Sequence, residues 1–228
     1  MGQVTLARTR PIRPGASISY RAANPGTACV AVRRRVGKDQ ISRFLLTCEH
    51  VLFGLPGVAG RTRSPVSQPA QTGAGATSDH VATVHDAGGL NKHGINHIDA
   101  ALAQLYDGVE MSNVPLNASQ KISRYSNGID VQDKVIMYGS ASGRSEGKVE
   151  SIEHAAWIAY PTGVGRITRL RFRELIKCNY RNSPGDSGAP VLGADNGVLL
   201  GMHIAGDGKV GYFCRIVDIF TRLQVSLV

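Results

Sequence analysis

Short apolar–polar runs broken by turn residues recur along this chain, and their spacing constrains the fold more than any other feature. ACVAVRRR (28–35), RFLLTCEHVL (43–52), HVATVH (80–85), IDAALAQL (98–105), KVIMYG (134–139) and GKVESIE (147–153) read as strands. So do RITRLRFREL (166–175), APVLG (189–193), GVLLGMHIAG (197–206) and VGYFCRIVDIF (210–220). Several alternate apolar and polar residues, with Gly, Asn, Asp and Pro between them. IDAALAQL also passes for a helix on propensity, since Ala and Leu are good helix formers. Many closely spaced short strands predict an all-β barrel or sandwich rather than βαβ units. At 228 residues the chain fits one large or two small domains and can bury a core without disulfides.

Two stretches fall outside this rhythm. Residues 54–79 are dense in Gly, Pro, Ser and Thr without periodicity and read as a long surface loop. Residues 107–133 contain Pro115 and Asn127-Gly128 and read as the link between two halves, 1–115 and 116–228. No run approaches the ~18 apolar residues of a membrane span. The N-terminus has no apolar signal core, and Leu6 stands where an N-acylation pattern needs Ser or Thr. Cys29, Cys48, Cys178 and Cys214 lack metal-ligand spacing and are expected to be thiols in a reducing, cytoplasmic setting. The net charge is +9, but only Arg33, Arg34 and Arg35 form a run, and no nucleic-acid-binding signature accompanies them. A solvated cationic surface is expected, with neither nucleic acid nor membrane as partner.

The most specific chemistry lies in SPGDSGAPVLG (183–193). Ser187 would sit exposed beside a turn, and Gly185 permits a backbone geometry that other residues resist. The N–H groups of Gly185 and Ser187 could then face one developing negative charge, usually the largest single catalytic contribution. A serine needs a base to act as nucleophile at neutral pH, and FLLTCEHVLFG supplies His50 at the end of an apolar strand. NHIDAALAQL places Asp99, a carboxylate able to orient an imidazole, before an apolar strand. Asp86 precedes a residue pair less suited to that role, and His85, His93 and His97 read as loop residues.

Gly-Asp-Ser-Gly before Ala-Pro, Leu-Thr-x-x-His-Val-Leu, and Asp-x-Ala together resemble the motifs of chymotrypsin-like serine proteases, in the bacterial or intracellular branch. The chain order His50, Asp99, Ser187 is the chymotrypsin order. The resemblance implies two six-stranded antiparallel β-barrels with the active site in the cleft between them. It implies a His50–Asp99–Ser187 triad, an oxyanion hole at Gly185 and Ser187, a protein or peptide substrate, and no metal or organic cofactor. An activating or targeting protein partner is a further expectation. No Ile-Val-Gly-Gly type N-terminus is present, so activation by a freed amine pairing with Asp186 is not readable. Arg181 stands where trypsin-type enzymes carry an acidic pocket residue. GMHIAG (201–206) resembles the pocket strand of glutamyl endopeptidases and picornaviral proteases, which implies a pocket of Arg181, Asn182, His203, Ala205 and Gly206 with Glu or Gln preferred before the scissile bond. A catalytically silent protein-binding module of the same fold is the alternative.

Overall fold

Leu170 and Phe172 are buried while Arg169, Arg171 and Arg173 around them are exposed. That period-two burial belongs to a strand with one face on a core, and repeated along the chain it yields two sheets. The computed structural model describes residues 6–20, 24–36, 40–54, 63–71, 77–161 and 167–228. The first five residues lie outside these.

The first sheet contains β1 (Ser17–Tyr20), β2 (Asn24–Thr27), β3 (Ala31–Val36), β4 (Gln40–Thr47), β5 (Pro65–Ser67), β6 (His80–Ala87) and β8 (Ala101–Leu105). Here β2 and β3 are two parts of one run: Thr27 pairs with Ser17 of β1, and Ala31 pairs with Leu45 of β4. That run closes a ring of six in the order β2/β3-β4-β8-β6-β5-β1. The second sheet joins β9 (Lys134–Gly139), β10 (Gly143–Pro161), β11 (Ile167–Cys178), β12 (Pro190–Gly193), β13 (Leu199–Gly206) and β14 (Gly211–Arg215). Its order is β10-β9-β12-β13-β14-β11, and the β10–β11 pairing closes it. The expected pair of six-stranded antiparallel barrels is present.

Each ring also takes one short strand from the other half. β7 (Ile95–Asn96) runs parallel to β11 with Ile95 opposite Arg171. β15 (Ser226–Leu227) pairs with β3 with Ser226 opposite Arg33. The β10–β11 hairpin outruns its barrel: β9 pairs only with 143–148 of β10, whereas β11 stays paired as far as residues 161 and 167.

Four sequence expectations change. Pro65–Ser67, inside the stretch read as a surface loop, is a strand between β1 and β6, while 55–62 and 72–76 lie outside the described residues. VGYFCRIVDIF is a strand only to Arg215; Ile216–Leu223 is a helix, α2. Its buried Ile216, Ile219, Phe220 and Leu223 recur at helical spacing, a signal the β-like reading of the run passed over. His50 stands one step past its strand, in the one-turn helix α1 (Glu49–Leu52). His85 belongs to β6 rather than a loop, with its ring 5.0 Å from that of Phe44. All four cysteines are buried and unpaired. No helix among the described residues is long and apolar enough to cross a membrane.

Candidate active site

β4 and β8 are hydrogen-bonded neighbours with Thr47 opposite Ala101, so the residues just after β4 meet those just before β8. His50 and Asp99 meet there. The His50 backbone N–H donates to Asp99 Oδ1 at 3.1 Å, and His50 Nδ1 lies 2.5 Å from Asp99 Oδ2. Asp99 is wholly buried. Burial alone would raise its pKa, but the neighbouring His50 and the hydrogen bonds from His50 and Tyr160 outweigh it and hold the carboxyl below its ordinary range. The Tyr160 hydroxyl, from the β10 extension, donates to Asp99 Oδ2 at 2.8 Å. Its ring lies 4.9 Å from the imidazole.

The loop before β12 brings Ser187 into the same cleft, a space of about 860 Å³ lined by His50, Tyr160, Ser187, His203 and Ala205 among others. Gly185 has φ +107° and Gly188 φ +97°, in the region that favours glycine. Thr27 of the first barrel grips this loop: its N–H donates to the Ser187 carbonyl at 2.8 Å and its hydroxyl to the Gly185 carbonyl at 2.8 Å. Asp186 is wholly buried, yet it accepts from the N–H groups of Ala141, Ser142 and Ser183 at 2.8–3.0 Å. Three backbone donors thus hold this carboxylate. Among the described residues, neither the Gly185 nor the Ser187 N–H donates to another group. The Ser187 hydroxyl itself donates to the Ile204 carbonyl at 3.3 Å.

His203 lines the cleft from β13 and is almost fully buried. Its Nδ1 lies 3.0 Å from the Tyr180 hydroxyl, and burial pulls its pKa down to about 4, leaving the ring neutral at pH 7. Ala205 and Gly206 continue the same wall. Arg181 borders the cleft, exposed, with its guanidinium donating to the Ser142 carbonyl at 3.0 Å. Asn182 departs from the expected pocket donor. Its amide donates to the carbonyls of Tyr180 and Val210 and its oxygen accepts from the Gly208 N–H, so it staples the 207–210 turn and has no N–H left for a ligand.

The remaining candidates sit elsewhere. Asp86 pairs with Arg34 at 2.7 Å, His97 with Glu174 at 2.8 Å, and His93 lies in an exposed turn. Cys48, His50 and Asp99 offer ligand atoms within 4.8 Å of one another, the geometry of a three-ligand metal site. However, the Cys48 thiol is turned to the His203 carbonyl, and burial pushes its pKa up, which opposes the thiolate a metal requires.

Thr27, Glu49, Tyr160 and Tyr180 have no role in the sequence reading, because single polar residues in short strands and turns carry no spacing signal. Glu49 is buried beside His50, and its carboxylate accepts from the N–H groups of Gly89 and Leu90. Burial raises its pKa from 4.5 to about 7. Because the folded value lies above the unfolded one, its contribution to stability is fully present below pH 4.5 and is lost as pH rises through about 7, to a limit of about 3 kcal/mol. Relative to Glu49→Gln, the wild-type melting temperature should fall by about 6–12 °C between pH 4.5 and 8. Parallel melting curves for the two proteins across that range would refute the assignment.

No family model matches the chain, and no curated protein matches it in sequence. Solved structures do. Cellulomonas bogoriensis chymotrypsin superposes with a TM-score of 0.66 at 17% identity, covering 95% of this chain and 98% of that one. Thermobifida fusca protease A gives 0.64 at 14% identity over 95% and 98%. A glutamic acid specific serine protease, which uses a histidine triad in substrate binding, gives 0.66 at 16% over 95% and 100%. The fold is therefore that of the chymotrypsin-like serine proteases.

Proposed function

We propose that this two-barrel chain is a serine endopeptidase, with residues 1–115 carrying His50 and Asp99 and residues 116–228 carrying Ser187 and the pocket. The observation that carries this reading is the 2.5 Å contact between His50 and buried Asp99 in the cleft that also holds Ser187. Ser187 Oγ leaves the Ile204 carbonyl and adds to the substrate carbonyl carbon, passing its proton to His50 Nε2. The Gly185 and Ser187 N–H groups, without partners among the described residues, receive the oxyanion. The C–N bond breaks as His50 returns the proton to the leaving amine. Water then repeats the sequence on the acyl-enzyme and releases the acid. Asp99 holds the imidazole and stabilises its cation throughout. Because Asp186 already has three backbone donors, the loop requires no freed amine. The four buried thiols support a reducing, cytoplasmic setting.

The pocket chemistry favours Glu or Gln before the scissile bond. With the Tyr180 hydroxyl at Nδ1, neutral His203 keeps Nε2–H to donate to a side-chain oxygen. A site built to hydrogen-bond its substrate discriminates strongly against residues that cannot reply. A peptide-library profile should show cutting after Glu and Gln, with that preference lost in His203→Ala. Dominant cutting after Lys, Arg or large aromatics would overturn it.

The second reading, a binding module that keeps the fold without turnover, draws on the Ser187 bond to Ile204. A fluorophosphonate probe separates the two. Labelling that Ser187→Ala abolishes supports the enzyme, and an unlabelled pure protein supports the binding module.

A further inference from the structure

Asp99 carries three hydrogen bonds, and they do not come from one place. Two are local, from the backbone N–H and ring of His50, both in the first barrel. The third is from Tyr160, on a hairpin that projects from the second barrel. Tyr160 is itself buried, at 4% exposure, and its ring packs against Phe172 of β11 with centroids 6.4 Å apart. Phe172 is wholly buried and sits opposite Asn96 of β7. The Asn96 amide in turn donates to the Arg171 carbonyl at 3.1 Å and to the Asn91 carbonyl at 2.9 Å. The hydroxyl is therefore presented by β10 of a hairpin whose other strand, β11, is tied on its far side to β7, from the first half of the chain. Burial and the adjacent Asp99 raise the Tyr160 pKa well above its ordinary value, so the group stays a donor.

Resting on the protease reading, we propose that Tyr160 is a positioning residue: its hydroxyl locks the Asp99 carboxylate from the opposite barrel and so fixes the His50 ring for proton transfer with Ser187. Asp99 Oδ2 must accept from both His50 and Tyr160, which leaves the carboxylate one rotation that serves both. Without the phenol, Oδ2 has a single partner, and the carboxylate can tilt with the imidazole. Tyr160 touches no reacting atom, so substrate affinity should be insensitive to its hydroxyl.

Tyr160→Phe keeps the ring, its contact with Phe172 and its face toward His50, and removes only the hydroxyl. A hydrogen bond from a neutral donor to a buried charge corresponds to about ten- to a hundredfold in rate when lost. Tyr160→Phe should therefore lower kcat by about that factor with KM within about twofold. The low-field proton resonance of the His50 Nδ1–H···Asp99 bond should also move, since one of the two donors to Oδ2 has gone. A variant with wild-type kcat and an unmoved resonance would overturn the proposal, and so would a loss confined to KM. The resonance is readable on resting protein. If the wild-type chain does not hydrolyse peptides, the protease reading fails, while a resonance that shifts in Tyr160→Phe still upholds the lock on Asp99 and an unmoved one refutes it. Should Tyr160→Phe fold poorly, Asn96→Ala, which loosens the far side of the hairpin, should move the resonance in the same sense; an unmoved resonance there counts against the proposal.

Discussion

Ser187→Ala and His50→Ala are each expected to lower kcat by on the order of 10⁶, with the double variant little worse than either. Without His50 the serine keeps its proton, and without Ser187 the imidazole has no nucleophile to activate, so each loss leaves the other group idle. Asp99→Asn should cost about 10⁴, because an amide at 2.5 Å from Nδ1 favours the wrong tautomer. Asp86→Asn is the matched control. Its carboxylate pairs with Arg34 of β3 rather than with His50, and turnover should not respond. Steady-state kinetics on a Glu- or Gln-containing peptide measures all five variants. Losses that multiply in the double variant, or an Asp86→Asn defect as large as that of Asp99→Asn, would contradict the assignment.

Gly188→Ala should be the most destabilising single methyl in the site. A Cβ there would lie 2.2 Å from the Thr27 carbonyl oxygen and 2.3 Å from Thr47 Oγ1, both in the first barrel. Neither can retreat easily: Thr27 is strand backbone, and the Thr47 hydroxyl already donates to that same carbonyl. Gly208 isolates the backbone part of the effect. It has the same φ of +97°, but a Cβ there would meet only the Asn182 carbonyl, at 3.8 Å. Gly208→Ala therefore carries the left-handed backbone cost alone, about 1–2 kcal/mol. Gly188→Ala adds a clash that must push the nucleophile loop from its seat, for a total on the order of 4 kcal/mol. Thermal melting should fall by about 8–16 °C for Gly188→Ala and by about 2–8 °C for Gly208→Ala. Equal shifts would mean that the loop is not wedged against the first barrel.

The contrast between these two glycines also marks how far the amino-acid sequence can be read. Both are a Gly in a turn, and nothing in the adjacent residues says that one faces backbone and the other open space. The two-barrel fold is legible because period-two alternation survives in strands such as β11, where every arginine faces out. The meeting of His50 with Asp99, 49 residues apart, is legible because motif order and strand context point to both. α2 is misread because its helical stripe begins immediately after a true strand, and one apolar run covers both. Tyr160 and Tyr180 are invisible for a different reason. Each acts through a hydroxyl aimed at a partner 61 or 23 residues away, across tertiary structure rather than within a motif. Asn182 shows the converse error: its residue type suits a pocket donor, but its amide is consumed by its own turn.

The exchange of β7 and β15 between barrels ties assembly to the order in which the chain is made. β3 has β4 beside it early, but its other edge waits for Ser226–Leu227, after every other described strand. Ile95–Asn96 likewise waits for β11. The pieces of the cleft follow the same schedule, since His50 and Asp99 emerge before Tyr160, and Thr27 long before the Ser187 loop that it seats. The first ring of six closes on residues 17–105, but the outer edge of β3 stays open until Ser226–Leu227 has been made. The nascent chain holds a histidine–aspartate pair with no serine beside it, and the cleft is complete only once Gly208 has been made. His50 and Ser187 share one cleft only after the Ser187 loop has been made.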